Sequence, residues 1–129
     1  MIGIDTNVIV RYLTHDDPEQ APRAIEFIEL LTPEEPGYIS DIVWVESFWV
    51  LTRVMRIPVA DVLDRFQKMI DSDSVRVDDY LLLSNAIQAA GVGVDFADAL
   101  ISGNSKAAGC RSVVTFDVGA ARSLGWRLL

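Results

Sequence analysis

The chain has 129 residues, of which 50% are apolar and 23% are charged, so its composition is that of one globular domain, residues 1–129, and not of a disordered chain. Its formal net charge of −8 argues against an ordinary nucleic-acid-binding protein, because such proteins usually present a basic face. The longest apolar runs, Ile42–Val45 and Phe48–Leu51, are far shorter than the roughly 20 residues that a membrane span requires. We therefore predict no membrane segment, no signal peptide and a cytoplasmic location, which the single Cys110 fits because it cannot form an internal disulfide.

Strands and helices alternate along the chain. In order, the predicted elements are a strand at Ile2–Ile4, a short helix at Val8–Leu13, a helix at Pro18–Leu31, a strand at Tyr38–Ser40, a helix from Asp41 to Arg53 or Arg56, a helix at Val59–Ile70, a strand at Ser74–Val77, helices at Tyr80–Ala90 and Asp95–Ala108, a strand at Ser112–Phe116, a short helix from Asp117 to Leu124 and a strand at Trp126–Leu129. This alternation favours an α/β fold with three layers, in which a central, mostly parallel sheet has helices on both faces.

Several of these helices have a recognisable capping residue. The predicted caps are Asp17, followed by Pro18 at the first helical position and by Gln20; Ser40 or Asp41; and Asp78 or Asp79 for the helix from Tyr80. These short polar side chains accept hydrogen bonds from the free N–H groups of a first helical turn.

Three acidic residues lie where predicted strands end or helices begin. Asp5 directly follows the first strand, Asp117 follows the strand Ser112–Phe116, and Asp98 lies in the first turn of the helix that Asp95 opens. Each alone can be interpreted as a helix cap or as an acid that complements the helix dipole. Ligands of open parallel sheets, however, bind at the carboxyl edge of the strands, which is where these acids are expected.

Glu46 is a fourth acid, and it has no capping role because it lies in the middle of a predicted helix. Its neighbours one turn away, Ile42, Val43, Trp49 and Val50, are all apolar, so we expect Glu46 to face the core. A buried, unpaired carboxylate is costly. We therefore favour a functional carboxylate over two alternatives, a pairing with a buried arginine or a helix rotated so that Glu46 is exposed.

Four acids at one edge of a sheet would repel one another unless a divalent cation were bound among them. Carboxylate oxygens suit Mg²⁺ or Mn²⁺, whereas one cysteine and one histidine cannot supply a zinc site rich in those residues. His15 lies in an acidic loop and is interpreted as a surface residue. The chain has no Walker A motif and no complete dinucleotide-binding loop. The sequence therefore favours metal-supported phosphoryl chemistry.

Four short motifs together resemble the PIN-domain family, and in particular the small VapC-type toxin ribonucleases of toxin–antitoxin pairs. In chain order the motifs are Ile4-Asp5-Thr6-Asn7, Ser40-Asp-Ile-Val-Trp-Val-Glu46, Asp95-Phe-Ala-Asp-Ala-Leu-Ile-Ser102 and Thr115-Phe-Asp117. The resemblance covers essentially the whole chain. It implies a PIN-like fold and an endoribonuclease that uses Mg²⁺ or Mn²⁺ and leaves a 5′-phosphate and a 3′-hydroxyl.

The resemblance also implies roles for individual residues. The implied catalytic and metal-binding acids are Asp5, Glu46, Asp98 and Asp117, with Asn7 and Thr115 as hydrogen-bonding supports and Asp95 as a second acid close to Asp98. The implied partners are an RNA substrate, a cognate antitoxin protein and a second copy of the chain in a homodimer. Arg53 and Arg56 are our predicted contacts for the RNA or the antitoxin.

Other small acidic α/β proteins fit less well. A receiver-type phosphoacceptor would need a lysine after a late strand, but Lys68 and Lys106 both lie in predicted helices, and a haloacid-type phosphatase would need an aspartate in place of Asn7. The alternative that stays open is a non-catalytic PIN-like scaffold that binds a protein partner or RNA. The net acidity leaves RNA binding unexplained until a patch of arginines is found.

Overall fold

The structure is a computed structural model that describes residues 1–129. Its strands are β1 (Ile2–Gly3), β2 (Gly37–Tyr38), β3 (Val75–Arg76), β4 (Val114–Thr115) and β5 (Arg127–Leu128). Its helices are α1 (Thr6–Thr14), α2 (Gln20–Glu29), α3 (Asp41–Trp49), α4 (Val59–Ile70), α5 (Tyr80–Gly91), α6 (Phe96–Ala107) and α7 (Val118–Leu124). Every predicted element is present, with ends that differ by a few residues. None of the helices is both long enough and apolar enough to cross a membrane.

All pairing between strands is parallel, which confirms the predicted α/β class. The strands form two ladders, β1-β2-β3 with β2 in the centre and β4-β5, where one central sheet was expected. Gly37 of β2 lies opposite Ile2 on one side and Val75 on the other. The chain divides into two compact units, Met1–Tyr80 and Leu81–Leu129. That the chain is a single domain stays a prediction.

The core of the first unit is built around the aromatic ring of Phe66 on α4. This ring is fully buried and meets Trp44 of α3 edge to face, with 4.9 Å between the ring centroids and an interplanar angle of 69°. Such aromatic pairs contribute stability beyond the area that they bury. The face of α4 that carries Phe66 also buries Val62, Leu63 and Met69, which lie at the spacing that places side chains on one side of a helix.

Helix α3 does not end at Trp49 but continues as a π-helical turn over Val50–Val54. In this turn the Met55 N–H donates to the Val50 carbonyl at 2.9 Å, five residues back instead of four. Leu51 remains buried within the turn, whereas Val54 is exposed. The sequence-based end of this helix, at Arg53 or Arg56, is therefore close to the end of the whole helical segment.

In the second unit, α6 contacts both α5 and the residue that precedes the last strand. Gly103 of α6 lies against Leu82, since a Cβ built on Gly103 would be 3.0 Å from the Leu82 Cγ. The Trp126 indole N–H donates to the Ser102 hydroxyl at 3.3 Å, which ties the residue preceding β5 to the same helix. These contacts fix the orientation of α6, whose first turn carries Asp98.

The predicted caps are right at α2 and wrong at α3. Asp17 Oδ1 accepts from the N–H groups of Glu19 and Gln20, at 2.9 and 2.7 Å. At α3, Ser40 occupies the capping position but its side chain makes no capping hydrogen bond. That bond is supplied from a distant part of the chain.

Asp78 is the residue that caps α3. Its Oδ2 accepts from the Asp41 N–H at 3.0 Å, and its Oδ1 accepts a short hydrogen bond from the Tyr38 hydroxyl. The hydrogen bond to Asp78, followed by burial and by the charges of Asp78 and Asp41, raises the pKa of Tyr38. Asp78 therefore joins the end of β2 to the start of α3, instead of capping the helix from Tyr80 as one of the sequence alternatives had it.

We expect Asp78→Ala to lower the free energy of unfolding by about 1 kcal/mol, because it removes the side chain that caps α3. Urea denaturation measures this as a lower midpoint at an unchanged slope. Asp73→Ala is the matched control, since it removes an equal charge from an exposed loop position just before β3. Equal midpoints for the two variants would contradict the role of Asp78.

Candidate functional site

Asp98 is positioned by the cap of its own helix. Asp95 precedes α6, and its Oδ1 accepts from the Asp98 N–H at 3.0 Å. Asp95 therefore caps α6, in agreement with its predicted position at the start of this helix, and Asp98 is the acid of the first helical turn. The Asp98 side chain is half-buried, whereas Asp95 is exposed.

Asp117 is positioned in the same way after β4. Its Oδ1 accepts from the Ala120 N–H at 2.9 Å, so the carboxylate caps α7. The Thr115 hydroxyl accepts from the Asp117 backbone N–H at 3.0 Å. Thr115 thus supports the backbone of Asp117 and not its carboxylate.

The acids of the second unit repel one another. Burial raises the pKa of Asp98 above its ordinary value of 3.8, and the negative charges of Asp95 and Asp117 raise it further. None of the salt bridges in the structure involves Asp98. The second unit therefore brings Asp98 and Asp117 close enough to interact and leaves the charge of Asp98 without a neutralising cation.

Asp5 lies in the first unit, between β1 and α1, as the sequence predicted. It occupies the capping position of α1, but its side chain makes no capping hydrogen bond, and its exposed carboxylate forms no salt bridge. The interpretation of Asp5 as only a helix cap is thus not supported by its contacts. Asn7 is exposed in the first turn of α1, and its proposed hydrogen bond to an acid stays a prediction.

Glu46 was expected to face the core, and this expectation is wrong. Its side chain is exposed, and so are two of the apolar neighbours that suggested burial, Ile42 at 70% and Trp49 at 59% exposure. The buried face of α3 instead carries Trp44 and Ser47, both with no exposed surface. The correct alternative was the rotated helix, and the cost of burial no longer argues for a cation at Glu46.

Arg53 lies in the π-helical turn that continues α3, and Arg56 follows the end of this helical segment. Both side chains are exposed, and neither forms a salt bridge. Arg56 has a φ of 56°, in the left-handed region that few residues other than glycine adopt. Their role as contacts for RNA or an antitoxin stays a prediction.

The donor atoms of these acids fit a hard divalent cation, because all of them are carboxylate oxygens and the charge of Asp98 is unneutralised. No group of three or more histidine, cysteine, aspartate or glutamate side chains, however, is arranged to hold one metal ion. The chemistry of the acids therefore fits Mg²⁺ or Mn²⁺, and a complete set of ligands is not preformed.

A cavity of about 480 Å³ adjoins Asp5 and Asn7, and its other polar residues, Arg11, Gln20 and Arg23, were not predicted as site residues. The available signal was the spacing of Gln20 and Arg23, which places them on one face of α2. A larger cavity, of about 810 Å³, is lined by residues of α1, α2 and α4 and contains none of the predicted site residues.

We expect Asp98→Asn to raise the melting temperature at pH 7 in metal-free buffer. Because the folded-state pKa of Asp98 is raised, its protonated form stabilises the fold below pH 3.8, and this stabilisation is lost as the pH rises through the raised pKa. The increase in melting temperature caused by asparagine should therefore shrink as the pH falls below the raised pKa of Asp98. Thermal melts from pH 3 to pH 8 measure it.

Asp61→Asn is the control, because Asp61 is also an acid in the first turn of a helix, α4, but its side chain is exposed, whereas that of Asp98 is half-buried. Losing its favourable interaction with the helix dipole should leave stability unchanged or slightly lower at pH 7. A lower melting temperature for Asp98→Asn at pH 7 would contradict the repulsion.

Comparison with known proteins places the chain in a family. A comparison with curated proteins gives no match. The model of the PIN domain matches residues 2–123, a range that extends into both compact units and includes all of the predicted site residues. Members of this family are generally nucleases. With acids at the start of α1, in α3 and at the starts of α6 and α7, this chain belongs to the PIN-domain family.

Proposed function

We propose that this protein is an endoribonuclease that depends on Mg²⁺ or Mn²⁺ and hydrolyses RNA phosphodiester bonds. The observation that carries the proposal is the half-buried carboxylate of Asp98, which no salt bridge neutralises and which forms an acidic pair with Asp117 beside Asp95, in a chain of a nuclease family. A pair of this kind gains stability when a divalent ion binds. Asp5 and Glu46 complete the proposed set of metal-binding acids, on the basis of the sequence motifs.

The residues of the chain have distinct roles in this proposal. Asp98 and Asp117 present carboxylate oxygens from the starts of two helices, and Thr115 and the Ala120 N–H keep Asp117 in place. The exposed carboxylates of Asp5 and Glu46 are free of salt bridges and so are available as ligands. A bound divalent ion would supply an activated water and offset charge on the phosphate. No protein nucleophile is required.

We further propose that the protein is the toxin of a toxin–antitoxin pair and acts in the cytoplasm as a homodimer. The four sequence motifs and their order along the chain support this proposal. In such a pair, a cognate antitoxin protein would cover the acidic residues and keep the nuclease inactive.

One observation favours a second candidate, a non-catalytic PIN scaffold. The acids do not form a preformed group of three or more metal ligands. A scaffold would not need such a group. The two candidates differ in whether a divalent ion binds and whether RNA is cut.

We expect purified protein to cut a single-stranded RNA in Mg²⁺ or Mn²⁺, and not in EDTA, leaving a 5′-phosphate and a 3′-hydroxyl. Asp98→Asn should slow cleavage by at least about 10²-fold, the loss typical of removing one group that stabilises transition-state charge. Asp117→Asn should do the same without loss of the cap, since asparagine caps helices as well as aspartate. Gel electrophoresis with end-group analysis measures both.

Glu34→Gln is the control for loss of an exposed negative charge. A second measurement is the melting temperature as Mn²⁺ is added: an ion at a hundredfold excess over its dissociation constant should stabilise the wild type by about 2.7 kcal/mol, and Asp98→Asn should lose most of this response. A 2′,3′-cyclic phosphate product would exclude the proposed mechanism. Absence of both RNA cleavage and a rise in melting temperature with Mn²⁺ would leave the non-catalytic scaffold as the remaining candidate.

We also expect expression of the wild-type chain in bacteria to stop growth, and Asp98→Asn at an equal protein level to permit it. Growth curves with immunoblots measure the two effects together. Unimpaired growth with active, soluble nuclease would contradict the toxin role while leaving the nuclease intact.

A further inference from the structure

The cavity of about 480 Å³ beside Asp5 lies between α1 and α2 and has a polar lining that no proposed role yet uses. Its volume falls within the roughly 300–1,000 Å³ that small-molecule sites occupy. Residues from α1 and α2 line it from two sides. The lining residues that carry the argument are Asp5, Asn7, Arg11, Gln20, Arg23 and Phe27.

The two arginines of this cavity differ in their contacts. Arg11 Nε donates to Gln20 Oε1 at 3.0 Å, and its Nη1 lies 3.3 Å from the carboxylate of Asp16, in a salt bridge. Arg11 is therefore held in place and largely neutralised. Arg23 is exposed and forms neither a salt bridge nor a hydrogen bond. The guanidinium of Arg23 is thus the unneutralised positive charge of the cavity.

The rest of the lining suits a planar group with polar edges. Buried Ile4 and Ala24 provide apolar surface, and the half-buried ring of Phe27 lies on the same face of α2 as Arg23. Because the Gln20 carbonyl accepts from Arg11, its amide NH₂ remains as a donor. An aromatic ring, amide groups and a free guanidinium together provide for stacking, for recognition of base edges and for a phosphate.

We infer that the cavity between α1 and α2 is a nucleotide subsite, in which Arg23 binds a backbone phosphate of single-stranded RNA and the neighbouring base lies against Phe27. This inference rests on the proposed nuclease function and names how the substrate is held. The subsite adjoins Asp5, so it would hold a nucleotide beside the one that is cut. An arginine is well suited to this contact because its fork of N–H groups matches phosphate oxygens.

RNA explains the lining better than an acidic protein segment does. A carboxylate would use Arg23 alone, whereas a nucleotide also uses the amides of Asn7 and Gln20 and the apolar surface. The chain as a whole repels polyanions through its net charge of −8, so an RNA strand bound in this cavity requires a local positive charge beside Asp5. Arg23 is such a charge.

The test is the binding of a fluorescein-labelled, single-stranded 12-nucleotide RNA, measured by fluorescence anisotropy between 50 and 300 mM KCl in EDTA. Each phosphate contact contributes about 0.7 to the slope of log affinity against log salt for single strands. We expect Arg23→Gln to lower the slope by about 0.7 and to bind about fivefold more weakly at 0.1 M salt. Arg23→Lys, which keeps the charge, should retain most of the slope.

Arg111→Gln is the matched control, because it removes an equal charge from an exposed position ahead of β4, away from the strand end that carries Asp117. Its slope should equal that of the wild type. Equal slopes for Arg23→Gln and the wild type would overturn the inference. An equal loss of RNA affinity in Arg23→Gln and Arg111→Gln would also overturn it. Absence of RNA binding by the wild type would overturn it too, and competition by an acidic peptide alone would assign the cavity to a protein.

Binding in EDTA separates this inference from the proposed function. Wild-type RNA binding that depends on Arg23, without cleavage in Mg²⁺ or Mn²⁺, would keep the subsite and reject the nuclease. Cleavage by the wild type together with an unchanged slope in Arg23→Gln would keep the nuclease and reject the subsite.

Discussion

The N-termini of α6 and α7 position acidic side chains near one another despite their mutual repulsion. Asp95 and Asp117 each accept a backbone N–H from the first turn of a helix, and Asp98 sits within such a turn. The positive end of the helix dipole stabilises negative charge at these positions. This stabilisation offsets part of the effect of burial and of charge repulsion, which together raise the pKa of Asp98. The interpretations of these acids as caps and as site residues are therefore not alternatives, because capping is what places the carboxylates.

The parts of the fold that were predictable depend on local patterns. The α4 helix was predicted at its observed bounds, Val59–Ile70, because only one of its faces is apolar and Pro58 precedes it. The parallel strands were predictable from their alternation with helices, although only two residues of each strand are paired with a neighbouring strand in the structure. Local signals also placed Asp5, Asp98 and Asp117 correctly relative to their strands and helices, since each follows a short apolar run or a helix cap.

The errors have physical reasons that lie outside a local pattern. Helix α3 is apolar on nearly every side, so the sequence does not show which face is buried, and Glu46 was assigned to the wrong one. The cap of α3 comes from Asp78, 37 residues further along the chain than Asp41. The cavity beside Asp5 could not be predicted from a local pattern, because Arg11 and Arg23 line the same cavity only when α1 packs against α2.

Net charge is a poor guide to this protein because its charges are not evenly distributed. The acidic excess includes residues at helix N-termini, while Arg23 remains unpaired in a cavity beside Asp5. Over distances beyond about 10 Å, salt at physiological strength screens the overall negative charge. A polyanion close to the surface would therefore interact mainly with the local arrangement.

The π-helical turn at Val50–Val54 has a consequence for how this segment tolerates changes in length. Such a turn contains one residue more than a regular α-helical turn, so it is the geometry that results when a single residue is inserted into an existing helix. Loss of one residue here would restore a regular helix without moving the turns before it, which carry Trp44 and Glu46. A chain that lacks one residue at this point would therefore keep the same α3.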